Sequence, residues 1–296
     1  MKDYIVRGNT KDGYIRFFGA DTKETVNTAH NMHKTSPVAT AAIGRLLTAA
    51  SMMGAMLKSE DDIITLQMSG GGPLGKVVAV ADCNANVKGY VGNPFLDIPL
   101  NKNGKLDVGG AIGTEGSLIV IRDFGLKEPY IGKTPLVSGE IGDDLTSYFA
   151  VSEQVPSVVG LGVLVDRDYT CKCAGGFIIQ VMPGATDEAI TKLEENIKKV
   201  KSVTELLDSG KTIEDIIADV LCGFELDFSE KKETKYYCNC SKERVEKVLI
   251  TLGEKELTDI IEQDKKAELS CHFCDKVYNF NEEELRNLLK NAKEEN

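Results

Sequence analysis

The chain has 296 residues, and 42% of them are hydrophobic, which is enough apolar material for about two packed domains. It carries 46 acidic and 35 basic residues and a formal net charge of −11, and no run of Lys or Arg forms a basic patch. We expect no nucleic-acid partner, because phosphate binding relies on clustered positive charge. The first residues show no signal region, so a cytoplasmic protein with reduced thiols is expected.

A mixed α+β core domain is predicted for residues 1–183. Tyr14 to Phe18 form the first strand candidate, and Asp21 and Glu24 have the spacing of a capping box for a helix that ends near Met32. Further strands are expected at 63–68, 76–81, 87–91, 117–121, 158–165 and 171–180, with a helix at 143–151. Consecutive strands with turns between them favour neighbouring, antiparallel pairing.

A run of small and apolar residues, 38–57, is predicted to be a buried helix and not a membrane span. Arg45 is the one charged residue of this run, and an Arg in the middle of a membrane span costs about 2.5–3.5 kcal/mol of free energy on insertion into the bilayer. Ser36 suits the N-cap and Pro37 the first helical position. We therefore expect no membrane partner.

Two glycine clusters are candidates for a phosphate-binding loop. A strand, not a helix, follows Gly70–Gly75, so this cluster is predicted to be a hairpin turn. Gly109–Gly113 also lacks a helix-opening phosphate signature and is predicted to be a loop. No nucleotide-binding site is therefore expected.

Residues 184–235 are predicted to form a helical linker region. They contain 13 acidic and 8 basic residues, and apolar residues recur at helical spacing. Such narrow apolar faces cannot form a core alone, so the helices must pack on another surface, which we expect to be the core domain. The polar, aperiodic span 228–234 is the best candidate for an irregular linker.

Residues 236–296 are predicted to form a small C-terminal zinc-binding domain. Ser241 caps a helix that runs to Leu252 and ends at Gly253. The remaining elements are expected to be a helix near 257–261, a strand at 277–280, and a helix capped by Asn281 and Glu284 that runs through Leu289. Few large apolar residues are available, so a metal must supply much of the stability.

Four cysteines in this last region have the spacing of a metal site. Cys238 and Cys240 form a C-x-C pair, and Cys271 and Cys274 form a C-x-x-C pair 30 residues later (271 − 240 − 1). Thiolates are the ligands that Zn²⁺ takes in closed structural sites. We predict one zinc ion on these four residues and assign His272, inside the second pair, to the loop.

The short spacing within each pair also suits redox chemistry. Oxidation of a zinc thiolate could join Cys238 to Cys240 and Cys271 to Cys274, which replaces one long-range cross-link by two local loops of little stabilising value. A permanent structural zinc site without a redox role is equally compatible with the spacing.

The other four cysteines carry weaker signals. Cys83 and Cys222 are expected to be small buried residues, whereas Cys171 and Cys173 are expected to share one face of a strand.

These motifs together resemble a known family, the bacterial redox-regulated heat-shock holdases (heat shock protein thirty-three). The C-x-C and C-x-x-C pairs are that family's hallmark, and residues 152–157 (S-E-Q-V-P-S) and 174–184 (A-G-G-F-I-I-Q-V-M-P-G) are similar to two further family segments. The resemblance covers the whole chain. Cys171 and Cys173 are not part of the family's switch.

The resemblance implies an ATP-independent holdase that is not an enzyme. When reduced, such a protein binds zinc and is an inactive monomer. When oxidised, it forms the two local disulfides, loses zinc, unfolds its C-terminal domain and linker, dimerises and binds unfolding or oxidatively damaged client proteins. The alternatives are a zinc-ribbon nucleic-acid-binding protein, which the acidic charge disfavours, and a thiol oxidoreductase using Cys271 and Cys274, which leaves Cys238 and Cys240 unexplained.

Overall fold

The structure, a computed structural model, describes residues 2–294, and the side chains of residues 2–290. The chain falls into two compact units, Met1–Tyr237 and Cys238–Asn296. Helices and antiparallel strands occur in both, which confirms the predicted α+β class. The further division of the first unit at residue 183 stays a prediction.

The first unit contains two five-stranded antiparallel sheets. Sheet A has the strand order β10-β1-β2-β9-β8, and sheet B has the order β5-β4-β3-β6-β7. The strands are β1 (Tyr4–Thr10), β2 (Ile15–Asp21), β3 (Ile63–Ser69), β4 (Val77–Asp82), β5 (Val87–Val91), β6 (Ser117–Asp123), β7 (Tyr130–Pro135), β8 (Ser157–Val165), β9 (Cys171–Val181) and β10 (Leu226–Glu233). Each strand predicted from the sequence is confirmed to within a few residues, and Gly70–Gly75 forms the predicted turn between β3 and β4.

One helix lies between the two sheets and organises the main core. The helices of this unit are α1 (Lys23–His33), α2 (Pro37–Gly54), α3 (Val108–Ile112), α4 (Ile141–Val151), α5 (Asp187–Ile197), α6 (Val203–Asp208) and α7 (Ile213–Val220). Helix α2 contacts strands of both sheets and is buried along almost its whole length, as predicted. The Ser36 side chain accepts a hydrogen bond from the Ala39 N–H, and Pro37 begins the helix. Within the described residues, no helix is long and apolar enough to cross a membrane.

Helices α5, α6 and α7 cover the other face of sheet A. Ile213, Ile216 and Ile217 are completely buried there with Phe17 and Ile179 of the sheet. A side chain on Gly19 would bring its Cβ within 2.6 Å of Ile217 Cδ1, so the glycine permits this close approach. The expectation that these helices pack on the core is confirmed.

Two segments predicted to be irregular are regular. Residues 228–234 were predicted to form a linker, but 226–233 form β10, which pairs with β1 at the edge of sheet A. The strand is mostly exposed and rich in charged residues, which is typical of an edge strand. Its sequence therefore lacks the alternation of apolar and polar residues by which a strand is usually predicted. Gly109 to Ile112 belong to α3, whose N-cap Asp107 accepts a hydrogen bond from the Gly110 N–H.

The predicted capping box of α1 is wrong. Thr22, not Asp21, precedes the helix, and its side chain makes no capping hydrogen bond. Instead, the carboxylate of Asp3 at the start of β1 accepts hydrogen bonds from the N–H groups of Glu24 (3.0 Å) and Thr25 (2.6 Å). A side chain distant in sequence therefore replaces the local cap.

The second unit is a small domain that contains the three predicted helices and the predicted strand, together with one strand, β11, that was not predicted. They are α8 (Lys242–Thr251), α9 (Glu254–Gln263), β11 (Lys266–Ser270), β12 (Val277–Asn281) and α10 (Glu282–Glu294). Ser241 caps α8, and Asn281 and Glu284 each accept a hydrogen bond from the other's backbone N–H, as predicted. The core is a short cluster: Leu249, Leu257, Ile261, Tyr278, Phe280, Leu285 and Leu288.

The packing of α7 on sheet A predicts a large loss of stability for Ile217→Ala. Truncating a fully buried Ile typically costs about 2–5 kcal/mol of unfolding free energy. The matched control is Ile131→Ala, because Ile131 is 59% exposed on β7. Urea unfolding followed by circular dichroism compares the two variants, and equal losses would contradict the packing.

Candidate metal centre

The four cysteines of the C-x-C and C-x-x-C pairs meet at one point in the second unit. Their Sγ atoms all lie within 4.8 Å of one another. The Sγ atoms of Cys238 and Cys271 are 3.7 Å apart, and those of Cys240 and Cys274 are 3.3 Å apart. These two contacts join the two pairs to each other.

Local structure places each pair. Ser270 and Val277 are the last paired residues of the β11–β12 hairpin, so Cys271 and Cys274 lie in its turn. The Cys271 carbonyl accepts hydrogen bonds from the N–H groups of Cys274 (3.2 Å) and Asp275 (2.8 Å), which curls the turn around one centre. Cys240 directly precedes Ser241, the cap of α8, so the start of that helix fixes the other pair.

The donor set fits a tetrahedral zinc ion. With Zn–S bonds of about 2.3 Å, neighbouring sulfurs in a tetrahedron lie about 3.8 Å apart. The Cys238–Cys271 and Cys240–Cys274 distances, 3.7 and 3.3 Å, are close to this value. Four soft sulfur donors that are each only partly buried suit Zn²⁺ better than a hard cation such as Mg²⁺ or Ca²⁺.

A tyrosine that sequence reasoning missed contacts the cluster. The hydroxyl of Tyr278 donates a hydrogen bond to Cys240 Sγ over 3.0 Å. The Tyr278 side chain lies in the small core of the unit, so packing fixes its ring. The sequence does place Tyr278 in a predicted strand close to the Cys271–Cys274 pair. The register of the hairpin, which pairs Tyr278 with Leu269, is needed to show that its hydroxyl reaches Cys240 Sγ.

This hydrogen bond changes the acidity of the cluster. Burial raises the pKa of the Cys238 and Cys274 thiols. Burial also opposes ionisation of Cys240, but hydrogen bonds from Tyr278 and the neighbouring thiols outweigh it and lower the Cys240 pKa to about 7. These hydrogen bonds therefore favour the thiolate of Cys240, which is the form that binds metals.

The remaining sequence-predicted residues do not join the cluster. His272 is exposed in the hairpin turn and lies outside the sulfur group, as expected. Cys222 is exposed and Cys83 partly buried, so the prediction of two buried cysteines is wrong.

Cys171 and Cys173 do not share a strand face. A β-bulge shifts the register, so that Cys173 pairs with Leu164 and Cys171 with Val165. Cys171 packs in the core around α2, whereas Cys173 Sγ lies 3.9 Å from the Thr204 carbonyl of α6. Burial raises the pKa of Cys171 to about 12 and that of Cys173 to about 11, so both are protonated thiols at neutral pH.

Comparisons with known proteins agree on one family. The model of the Hsp33 protein family matches residues 3–281. The 33 kDa chaperonin of Clostridioides difficile is 52% identical over 98% of this chain and 99% of its own length, and that of Lachnoclostridium phytofermentans is 50% identical over the same shares. The crystal structure of the 33 kDa chaperonin from Thermotoga maritima superposes with a TM-score of 0.90 at 40% identity, covering 99% of this chain and 100% of that one.

The Tyr278 hydrogen bond predicts weaker zinc binding in Tyr278→Phe, which keeps the ring but removes the hydroxyl. Partners that bond to a metal ligand typically contribute about 10–100-fold in affinity. Competition with a chromophoric chelator measures the change in zinc affinity. Cys271→Ser removes one of the four sulfur donors and should therefore lose more zinc affinity than Tyr278→Phe. Tyr130→Phe, at a half-exposed tyrosine on β7 in the other unit, is the matched control. Equal affinities in the two Phe variants would contradict the role of the hydroxyl.

Proposed function

The chain belongs to the Hsp33 protein family, and on this basis we propose that it is a redox-regulated, ATP-independent chaperone that holds unfolding or oxidatively damaged proteins. It acts by binding, not as an enzyme, and works in the cytoplasm. One observation supports this most directly: the four cysteine sulfurs lie within 4.8 Å of one another in a unit with a small apolar core.

In the reduced state, we propose that Cys238, Cys240, Cys271 and Cys274 hold one zinc ion. When bound, zinc would supply a cross-link between the β11–β12 turn and the segment before α8. Structural zinc contributes about 10–16 kcal/mol in comparable small modules, which exceeds what a short apolar cluster supplies. The reduced, zinc-bound chain is the inactive monomer.

Oxidation removes the donors. Two thiolates give two electrons to hydrogen peroxide, which takes up two protons from the solvent and becomes two water molecules, and the two sulfurs form one disulfide. Two molecules of hydrogen peroxide therefore convert the four thiolates into two disulfides. Sulfurs joined to each other no longer provide the thiolates that hold the ion.

Chain entropy favours disulfides within each pair. The cross-pair sulfurs are close in the folded unit, at 3.7 and 3.3 Å, so proximity alone does not select the local pairs. Once the turn and the segment before α8 separate, a cross-pair bond must close a loop of more than thirty residues, whereas a local bond closes almost none. We therefore propose the disulfides Cys238–Cys240 and Cys271–Cys274, which stabilise the fold little.

Loss of the cross-link would then expose binding surface. We propose three functional regions: a chaperone core at 1–183, a helical linker at 184–235 and a zinc-binding switch at 236–296. Helices α5–α7 are short and gain their stability from the apolar face of sheet A, so their release would uncover both surfaces. The exposed apolar area would bind clients and a second copy of the chain.

The rival functions have less support. A nucleic-acid-binding zinc ribbon would need a basic surface, yet residues 235–296 carry 14 acidic and 11 basic side chains. A thioredoxin-like oxidoreductase would place its C-x-x-C between a strand and a helix, whereas Cys271 and Cys274 lie in a β-hairpin turn.

The function is tested by light scattering of an aggregating client protein without nucleotide. We expect suppression by the peroxide-treated, zinc-free chain and little by the reduced, zinc-loaded chain, because only the former exposes apolar surface. Cys222→Ser, at an exposed cysteine outside the cluster, should behave as the unmodified chain. Equal suppression by both states, or by neither, would refute the proposal.

The disulfide pairing predicts a specific tryptic map of the oxidised chain. Cleavage after Lys235 and Lys242 releases Cys238 and Cys240 in one peptide, and cleavage after Lys266 and Lys276 releases Cys271 and Cys274 in another. Mass spectrometry should find two separate peptides, each lighter by two hydrogens. A covalently joined pair of these peptides would instead identify cross-pair bonds and reject the local pairing.

A further inference from the structure

A cleft of about 400 Å³ opens in the first unit at the C-terminal end of α2. Arg16 and Gln180 of sheet A line it on one side and Arg122 of β6 on another. Its accessible apolar lining is formed by Met56, Leu57 and Phe124, whereas the lining residues Met53 and Phe149 are almost completely buried. We call it the Arg16 cleft. Its volume is within the range of small-molecule sites, so it admits a small molecule or the end of a chain but no folded partner.

The guanidinium of Arg16 is held in place by a neutral group. The Gln180 side-chain oxygen accepts hydrogen bonds from Arg16 Nε (3.2 Å) and Nη2 (2.6 Å). Gln180 is 2% exposed, and its amide nitrogen donates to Ser157 Oγ over 3.2 Å, so the polar row across β2, β9 and β8 fixes both side chains. An amide positions the guanidinium but cannot balance its charge.

The acidic residues of the cleft are already engaged. Arg122 Nη1 lies 2.9 Å from each carboxylate oxygen of Glu153, which also accepts a hydrogen bond from the Tyr148 hydroxyl. Asp62 accepts hydrogen bonds from two backbone N–H groups, at 3.0 and 3.3 Å. Arg16 makes no ion pair with any residue the structure describes, and burial lowers its pKa, as expected of a partly desolvated cation without a counter-ion.

The charges around the cleft leave a surplus of one positive charge. Its lining contains three cations, Arg16, Lys58 and Arg122, and two anions, Asp62 and Glu153, so 3 − 2 = +1. This surplus occurs in a chain whose formal net charge is −11. A partly buried cation in an acidic protein is unfavourable unless an anion reaches it.

Backbone strain occurs at the same place. Gln154 has a φ of 56°, a left-handed conformation that is uncommon outside glycine, and it lies between the lining residues Glu153 and Val155. The Val155 N–H donates to the Phe149 carbonyl over 2.9 Å, which holds the turn. Such strain concentrates at binding sites. The turn belongs to the S-E-Q-V-P-S segment, which the proposed chaperone function does not use.

We propose that the Arg16 cleft binds a carboxylate attached to an apolar group. Gln180 uses Arg16 Nε and one N–H of Nη2, so the remaining N–H groups of Nη1 and Nη2 can hold a carboxylate in two parallel hydrogen bonds. A single negative charge balances the surplus, and the methionine and phenylalanine of the lining accept an aliphatic group. This chemistry is present in small apolar carboxylic acids and in the C-terminal residue of a peptide. The proposal does not depend on the redox function, because the cleft lies wholly within Met1–Tyr237.

The test uses the full-length, reduced, zinc-loaded chain with ¹³C-methyl-labelled methionine. N-acetyl-leucine should shift the Met53 and Met56 methyl signals saturably, whereas the neutral N-acetyl-leucine amide should not. Arg16→Gln should weaken binding about tenfold or more, because it removes a charged hydrogen-bond donor. Arg167→Gln, at an exposed arginine outside the cleft, is the matched control and should bind normally.

Two further probes identify the source of the carboxylate. A five-residue peptide ending in Leu is compared with its C-terminal amide: binding of the free peptide supports chain ends as ligands, and binding of N-acetyl-leucine alone supports small acids. Inorganic phosphate should compete poorly with the carboxylate, because a doubly charged anion exceeds the single surplus positive charge of the cleft.

Three results would overturn the proposal: no saturable methyl shift in the unmodified chain, equal binding of the acid and its amide, or displacement of the acid by phosphate at similar concentration. The first measurement needs no substitution, so a folding defect in Arg16→Gln leaves the test intact. Thermal unfolding of each variant identifies such a defect.

Discussion

The contact between the two cysteine pairs is the constraint on which the second unit depends. The core of this unit is a short cluster of residues drawn from three helices and a two-stranded sheet. The sulfur cluster joins the hairpin turn to the segment before α8, and the Tyr278 hydrogen bond to Cys240 adds a second contact between the hairpin and that segment. Under the proposed function, a metal on these sulfurs would cross-link a unit with a small core, and oxidation of the sulfurs would remove that cross-link.

Helices α5–α7 illustrate the same dependence on a neighbouring surface. They have 11, 6 and 8 residues, too few for stable isolated helices even with the capping boxes at Ser202 and Thr212. Their buried isoleucines pack on Phe17 and Ile179, and Gly19 lets α7 approach the sheet closely. The caps define where these helices begin, but sheet A supplies most of the free energy that keeps them helical.

Local patterns predicted much of this fold, and contacts between distant residues account for the errors. The apolar run of α2, the Ser241 cap and the cysteine spacing are local signals, and each appears as expected. By contrast, Asp3 caps a helix twenty residues away, and β10 is recognisable as a strand only through its pairing with β1. The Tyr278 hydrogen bond and the bulge at Cys171 likewise follow from strand register, which one strand's sequence does not specify.

Sheet A places the two proposed functions on opposite faces of the same strands. On β2 and β9, Phe17 and Ile179 face the helices α5–α7, while the adjacent residues Arg16 and Gln180 face the Arg16 cleft. Alternation along a strand makes this arrangement unavoidable once both faces are covered. A carboxylate bound more tightly when α5–α7 are packed would stabilise that packing by the same free energy, because linkage is reciprocal. Strands β2 and β9 are the elements that contribute side chains to both proposed sites.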